Sequence, residues 1–222
     1  MKRSEINAIL ADSQAFIRSF GLPLPPFADW RPDRIAAPEA AEIRSRGLGW
    51  DITDYGQGRF ATLGLVLFTA RNGRHADLAR GRGMVYAEKI MISRVGQLSP
   101  MHRHRLKTED IINRGGGTLV LQLHAADADG NIDRAADLRV MSDGIAQDLP
   151  PGGLLQLAPG SSVTLPPDIW HAFWAEGEDV LLAEVSTVND DRTDNVFADP
   201  VGRFPEIEED VPATRLLVSD YA

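Results

Sequence analysis

Residues 96–116 read "GQLSPMHRHRLKTEDIINRGG", and the chemistry of this stretch governs the fold. His102 and His104 are separated by one residue, and Glu109 follows five positions after His104. Side chains at i and i+2 of an extended strand leave from the same face, so the two imidazoles converge if residues 99–105 are extended. Glu109 lies beyond a bend and can re-enter the same space from the next strand. Imidazole and carboxylate together suit Mn, Fe, Co, Ni or Zn better than Ca or Mg, and such a set leaves positions open for substrate. The competing reading is an accidental His-x-His on a basic, solvated strand, because Arg103 and Arg105 flank the pair.

The surroundings of the pair choose between these readings. Gly96 precedes His102 with five residues between, and Gly116 follows Glu109 with six between. Further on, "GSSVTLPPDIWHAFWA" (160–175) supplies Gly160, Pro166, Asp168 and His171. The first stretch matches the first cupin motif in full, and the second resembles the second motif with two departures. Asp168 stands in place of a glycine, and Ala175 in place of an asparagine. Aspartate tolerates a left-handed turn, so the first departure is mild. The resemblance implies a mainly β cupin fold, a double-stranded β-helix or jelly-roll barrel. It also implies one divalent metal held by His102, His104, Glu109 and His171. Three neutral imidazoles and one carboxylate would leave a divalent ion a net positive charge with which to attract and polarise oxygen ligands.

The rest of the chain agrees with a β-rich body. From Trp50 onward, short apolar runs such as "MVYAEKIMISRV", "GTLVLQLHAA" and "DVLLAEVSTV" alternate with Gly, Asp, Asn and Pro, as in a sandwich or barrel. Before them, Ile6, Leu10, Ile17 and Phe20 recur at helical spacing, with Ser4 as N-cap and Gly21 as C′ residue. "APEAAEIRSRG" supports a short second helix with Pro38 at its first position. We therefore expect one cupin domain over 1–222, with a helical decoration at 1–49 and the barrel and C-terminal segment at 50–222. "DADGNID" (127–133) is expected to be a hairpin turn, since no closing glutamate completes a calcium loop.

Composition excludes several classes. The chain has 23 basic and 32 acidic residues, a net charge of −9, which argues against tracking nucleic-acid phosphates. Without cysteine there is no disulfide, thiolate zinc site or cysteine nucleophile. The longest strongly apolar run is "LGLVLF" (63–68), far short of the ~18 residues of a membrane span. The N-terminus lacks the apolar segment of a signal peptide, and a cytoplasmic location is expected.

Longer stretches narrow the cupin reading. "VYAEKIMISRVGQLSPMHRHRLKTEDIINRGGGTLVLQL", "LPPDIWHAFWAE", "LLAEVSTVNDDRTDN", "GRFPEIEED" and "RLLVSDY", with "MKRSEIN" at the start, look like the D-lyxose isomerase family of cupin sugar isomerases over nearly the whole length. That resemblance implies interconversion of D-lyxose with D-xylulose, commonly also of D-mannose with D-fructose. It implies a divalent metal, typically Mn2+ with Co2+, Zn2+, Fe2+ or Ni2+ as alternatives, and a homodimer. A cupin dioxygenase and a non-catalytic sugar-binding cupin are the rival readings of the same motifs.

Aldose–ketose isomerisation needs an acid–base group and a cation at an oxygen. Lys89, on the run leading into the histidines, is by the resemblance the candidate cation, where a generic strand-edge lysine would face solvent. Glu184 interrupts "VLLAEVSTV" on the same face as Leu182, where an ionised carboxylate needs a partner or a functional pocket, and is the candidate base. Glu208, in a segment that the resemblance folds back toward the barrel mouth, is a second candidate. "NDDRTDN" (189–195) is either a lid or a polar turn. Trp170 and Phe173 read as barrel packing, and His75 and His124 as non-ligands.

Overall fold

A computed structural model of the chain describes residues 1–221. Helix α1 (Arg3–Ser19) opens the chain, and α2 (Pro32–Ala36) and α3 (Ala41–Ser45) follow within the proline-rich stretch. The strands are β1 (Gly49–Thr53), β2 (Leu65–Asn72), β3 (Tyr86–Ser93), β4 (Ser99–His104), β5 (Glu109–Ala125), β6 (Leu138–Ser142), β7 (Ile145–Leu149), β8 (Leu154–Leu157), β9 (Ser162–Leu165), β10 (Ile169–Thr187) and β11 (Asn195–Phe197). A short helix α4 (His75–Arg80) lies between β2 and β3. The strands pair antiparallel in the order β1-β2-β3-β10-β5-β9-β6-β7, with β4 on β10, β11 on β4 and β8 on β5.

The architecture turns on β5 and β10. They pair along nearly their whole lengths, from Ile169↔Ala125 to Ser186↔Glu109, with register shifts beside Glu176/Val180 and Leu181/Leu182. The shifts fall at Gly115, Gly116 and Gly117 on one strand and Gly177 on the other. Gly116 has φ +97°, and a Cβ there would lie 2.0 Å from the Asp179 carbonyl oxygen, so only glycine fits. On either side of this bend the strands take different partners. The far half of β10 pairs with β3 and its near half with β4, while β5 pairs with β9 and then β8. The result is a mainly β, cupin-like fold with helices at its N-terminal end.

Period-two alternation divides the apolar residues between two cores. Met91 of β3 and Leu182 of β10 face inward with Leu67, Ile111, Leu121 and Phe173. Their neighbours Ile90, Ile92 and Leu181 face outward, where Ile6, Leu10 and Ile17 of α1 cover them together with Trp50 and Phe68. Each fully buried aliphatic side chain of α1 stabilises this docking by about 1.5–3 kcal/mol.

The helix begins two residues earlier than expected. Lys2 occupies the cap position and Glu5 accepts its N–H at 2.8 Å. Ser4 caps nothing; its hydroxyl donates to Asp210 at 2.6 Å. Gly21 (φ +70°) ends the helix as anticipated, whereas Phe20 lies largely exposed, edge-on to Phe16. The 127–133 stretch is a turn in which Asp127 accepts the N–H groups of Asp129 and Asn131. No helix among the described residues is long and apolar enough to cross a membrane.

Candidate functional site

β4 carries His102 and His104 into the space between the sheets. β10 brings His171 directly opposite His102. A ligand atom of each of the three histidines lies within 4.8 Å of the others. The Pro100 carbonyl accepts from His102 Nδ1 at 2.8 Å, and the Ile169 carbonyl from His171 Nδ1 at 3.0 Å. A carbonyl can only accept, so both Nε2 atoms are left bare, as a metal ligand requires. Glu109, at the start of β5, places Oε1 3.2 Å from His171 Nε2 and 3.4 Å from His104 Nε2. His171 Nε2, Glu109 Oε1 and His104 Nδ1 are buried without a hydrogen-bond partner.

Orphaned buried polar atoms cost about 1–3 kcal/mol each, and a cation among the acceptors would relieve that cost. Their protonation suits one. Burial, then the neighbouring histidines, hold His102 well below its ordinary range, and burial followed by Lys107 lowers His104. Burial alone would raise the Glu109 carboxyl, but Lys107 and the histidines outweigh it and hold it well below the usual range. Neutral imidazoles and an ionised carboxylate fit a divalent transition-metal ion.

From Glu109 a line of buried charges runs away from the histidines with alternating sign. Lys107 Nζ lies 2.6 Å from Glu109 Oε2 and 2.8 Å from Glu184 Oε1. Lys89 Nζ lies 3.6 Å from Glu184 Oε2, donates to Asn189 Oδ1 at 2.8 Å and meets Asp191 Oδ1 at 3.2 Å. Arg203 joins Asp191 to Asp51, at 3.2 and 2.8 Å. Register explains the centre of the line, because Lys89 and Glu184 are direct partners across β3 and β10. Asp194 positions Lys107 by accepting the N–H groups of Arg105, Leu106 and Lys107 in the turn before β5. Glu109, Glu184 and Asp191 alternate with Lys107, Lys89 and Arg203, and at the end of the line burial, only partly countered by Arg203, raises the Asp51 carboxyl above its ordinary value. Burial acts to lower the Lys107 ammonium, but Glu109 and Glu184 push it above its ordinary value. Burial acts to raise Asp191, but Lys89 and Arg203 hold it well below its own.

The histidines, Glu109, Lys107, Glu184, Lys89, Asp191 and Arg203 line one cavity, closed on other sides by Tyr55, Ser99, Phe173, Asn195 and Phe197. Tyr55 holds a left-handed backbone (φ +56°), its hydroxyl 3.0 Å from Ser99 Oγ, and burial pushes its phenol up to about 12. The cavity therefore has a wall of cations and carboxylates facing an aromatic wall, next to a metal-ready cluster. Such a site can hold a small polyhydroxylated molecule and move protons on it.

The expected residues fare unequally. His102, His104, Glu109, His171, Lys89 and Glu184 converge on the cavity. Glu208 does not reach it. Its side chain is exposed and its backbone pairs with Met1 and Arg3, because the C-terminal segment folds onto the N-terminus and not over the cavity. The adjacent Glu209 and Asp210 likewise bind Arg3 and Ser4. The 189–195 stretch is a turn that delivers Asn189 and Asp191 to Lys89. Trp170 and Phe173 are buried, Phe173 also forming cavity wall, and His75 and His124 stand apart from the cluster. Sequence reasoning missed Lys107, Arg203 and Asp51. Lys107 lies in the turn before β5, where strand alternation gives no direction, and Arg203 lies 152 positions from Asp51; neither offered a local signal.

The model of the D-lyxose isomerase family matches residues 1–221. A D-lyxose/D-mannose isomerase of Serratia proteamaculans is 46% identical over 229 residues, covering 100% of this chain and 98% of the relative. A protein of the same name from Escherichia coli O157:H7 shows the same identity and coverage. Among solved structures, the L-ribose isomerase of Acinetobacter sp. DL28 with L-ribose superposes with TM-score 0.62 at 14% identity, covering 94% of this chain and 98% of that one. The Cellulomonas parahominis L-ribose isomerase with L-psicose gives 0.61 at 18% identity, with coverage of 94% and 98%. At these identities the structural likeness speaks for the fold.

Proposed function

This chain belongs to the D-lyxose isomerase family and is an aldose–ketose isomerase, and from that premise we propose that it interconverts D-lyxose and D-xylulose, with D-mannose and D-fructose as a second pair. The observation that carries the reading is Glu184, a buried carboxylate with a lysine on each oxygen, beside three histidines that can hold a metal.

His102, His104, Glu109 and His171 would hold a divalent ion, which supplies Lewis-acid polarisation of two neighbouring sugar oxygens when bound. We read that ion as Mn2+. Glu184 takes the C2 proton of the open-chain aldose and returns it to C1 through an enediol, as a second proton passes from O2 to O1. Lys107 and Lys89, one on each oxygen, fix the orientation of its carboxylate. Asp191, held by Lys89 and Arg203, is the second carboxylate within reach of the sugar and replaces Glu208 in that role. Tyr55 and Phe197 keep water from the reacting end. The two cores share β2, β3 and β10, which supports reading the chain as a single domain. From the family resemblance and the prevalence of two-fold assemblies, we read it as a cytoplasmic homodimer, which light scattering and fractionation check.

A screen of aldopentoses and aldohexoses after chelation and reloading with Mn, Co, Mg or Fe tests the reading. If metal-replete protein leaves D-lyxose and D-mannose unchanged, the reading fails. Glu184→Gln should retain metal and lose roughly 10²–10⁴-fold in turnover. Normal turnover in that variant would remove Glu184 from the mechanism.

A further inference from the structure

Asp51 and Arg203 lie at the end of the charge line farthest from the histidines, beyond the groups that the isomerisation uses. Asp51 belongs to β1 and is 2% exposed. Its Oδ2 accepts from Arg203 Nη2 at 2.8 Å, and the same nitrogen lies 3.2 Å from Asp191 Oδ2. Two carboxylates thus compete for one donor, and Asp51 holds the hydrogen bond. Arg203 Nη1 and Asp51 Oδ1 are buried and unpartnered. A guanidinium beside a single carboxylate favours a two-nitrogen fork, so Nη1 is a donor that this geometry withholds from Asp191.

The backbone holds Arg203 in this place independently of its charge. Thr53 Oγ1 donates to the Arg203 carbonyl at 2.7 Å, and Gly202 N–H to the Tyr55 carbonyl at 2.9 Å. The other titratable groups facing the trio are Lys89 from β3, Lys107 from the turn before β5, Tyr55 from the turn after β1 and Tyr221 from the C-terminal segment. None of them competes with Asp191 for Nη2.

We propose that Asp51 is a positioning residue: by taking the Arg203 hydrogen bond it prevents a forked Arg203–Asp191 pair, so that Asp191, in contact with Lys89 at 3.2 Å, can still turn an oxygen toward the sugar. The proposal rests on the isomerase reading of the cavity. Without the Asp51 charge, Arg203 closes on Asp191, and a carboxylate locked in a fork is a poorer proton acceptor and turns less readily toward substrate.

The test is Asp51→Asn, loaded with Mn2+, studied by crystallography and by kinetics across pH. Arg203 is expected to fork onto Asp191, with kcat down about tenfold or more and KM within about twofold, in the range for outer positioning partners. The acid limb of the kcat profile should move to lower pH, because Asp191 loses a nearby negative charge and gains a cation. Asp51→Glu, which restores a carboxylate for Arg203, should recover most of kcat. An unchanged kcat and acid limb in folded, metal-replete Asp51→Asn overturns the proposal, as does equal loss in Asp51→Glu. If Asp51→Asn does not fold, Asp51→Ser is judged by the same criteria. If the unaltered protein turns over no aldose, the isomerase reading has failed, and the Arg203–Asp191 geometry in the crystal alone decides the role of Asp51.

Discussion

Lys107 is the residue on which the buried charges depend. With one ammonium it separates Glu109 from Glu184, two carboxylates that are almost wholly buried. Removing one partner of such a set leaves uncompensated charge inside the protein, which costs far more than the pair itself contributes. Lys107→Met should therefore lower the stability of the metal-free protein by about 3–5 kcal/mol in urea unfolding. An unchanged midpoint would show that the two carboxylates do not rely on it. His102→Ala acts differently, because His102 lines the cavity and supports no ion pair. It should fold normally and retain no metal after dialysis, measured by elemental analysis. Retained stoichiometric metal would exclude His102 as a ligand.

At the level of elements, β5 and β10 owe their bend to glycines where their mutual register shifts and each takes new partners. Gly116→Ala would require φ near +97° and a Cβ against the Asp179 carbonyl. The backbone strain alone costs about 1–3 kcal/mol before the clash is counted. Since the bend sets which residues face Lys89 and Glu184, we expect Gly116→Ala to lose stability and activity together. Loss of stability with full activity per folded molecule would show that the bend does not set the site. The turn at 105–108 is the second positioning element. Asp194 caps three of its N–H groups, so a residue of the 189–195 stretch fixes where Lys107 points. Regarded only as a lid or a polar turn, that stretch gave no sign of this duty.

For the whole molecule, the cation is expected to stabilise the fold as well as serve it, because the orphaned acceptors are satisfied only when it is bound. Mn2+ at about 100 times its Kd would add about 2.7 kcal/mol by mass action. For a chain of this size that raises Tm by about 5–10 °C. Calorimetry with and without chelator checks the shift, and His102→Ala should abolish it. An equal rise in that variant would locate the stabilising ion elsewhere.

The sequence by itself pointed to the histidine cluster and the β-rich fold. Period-two geometry makes His102 and His104 converge, and the resemblance of two separate stretches to the cupin motifs adds Glu109 and the distant His171. The inward direction of Lys89 came from the family resemblance, and for Glu184 alternation alone left both faces open. Only the tertiary structure decided what surrounds them. Lys107, Arg203, Asp51 and Asp191 come from two turns, the C-terminal segment and a different strand, and nothing local in the chain records that they meet. Glu208 went astray for the same reason: Arg3, 2% exposed, holds Glu209 and Asp220 and ties that segment to α1. Local periodicity fixes which face a side chain takes, but long-range pairing of buried charges is settled only when the chain closes around them, where low polarity leaves few arrangements unpenalised.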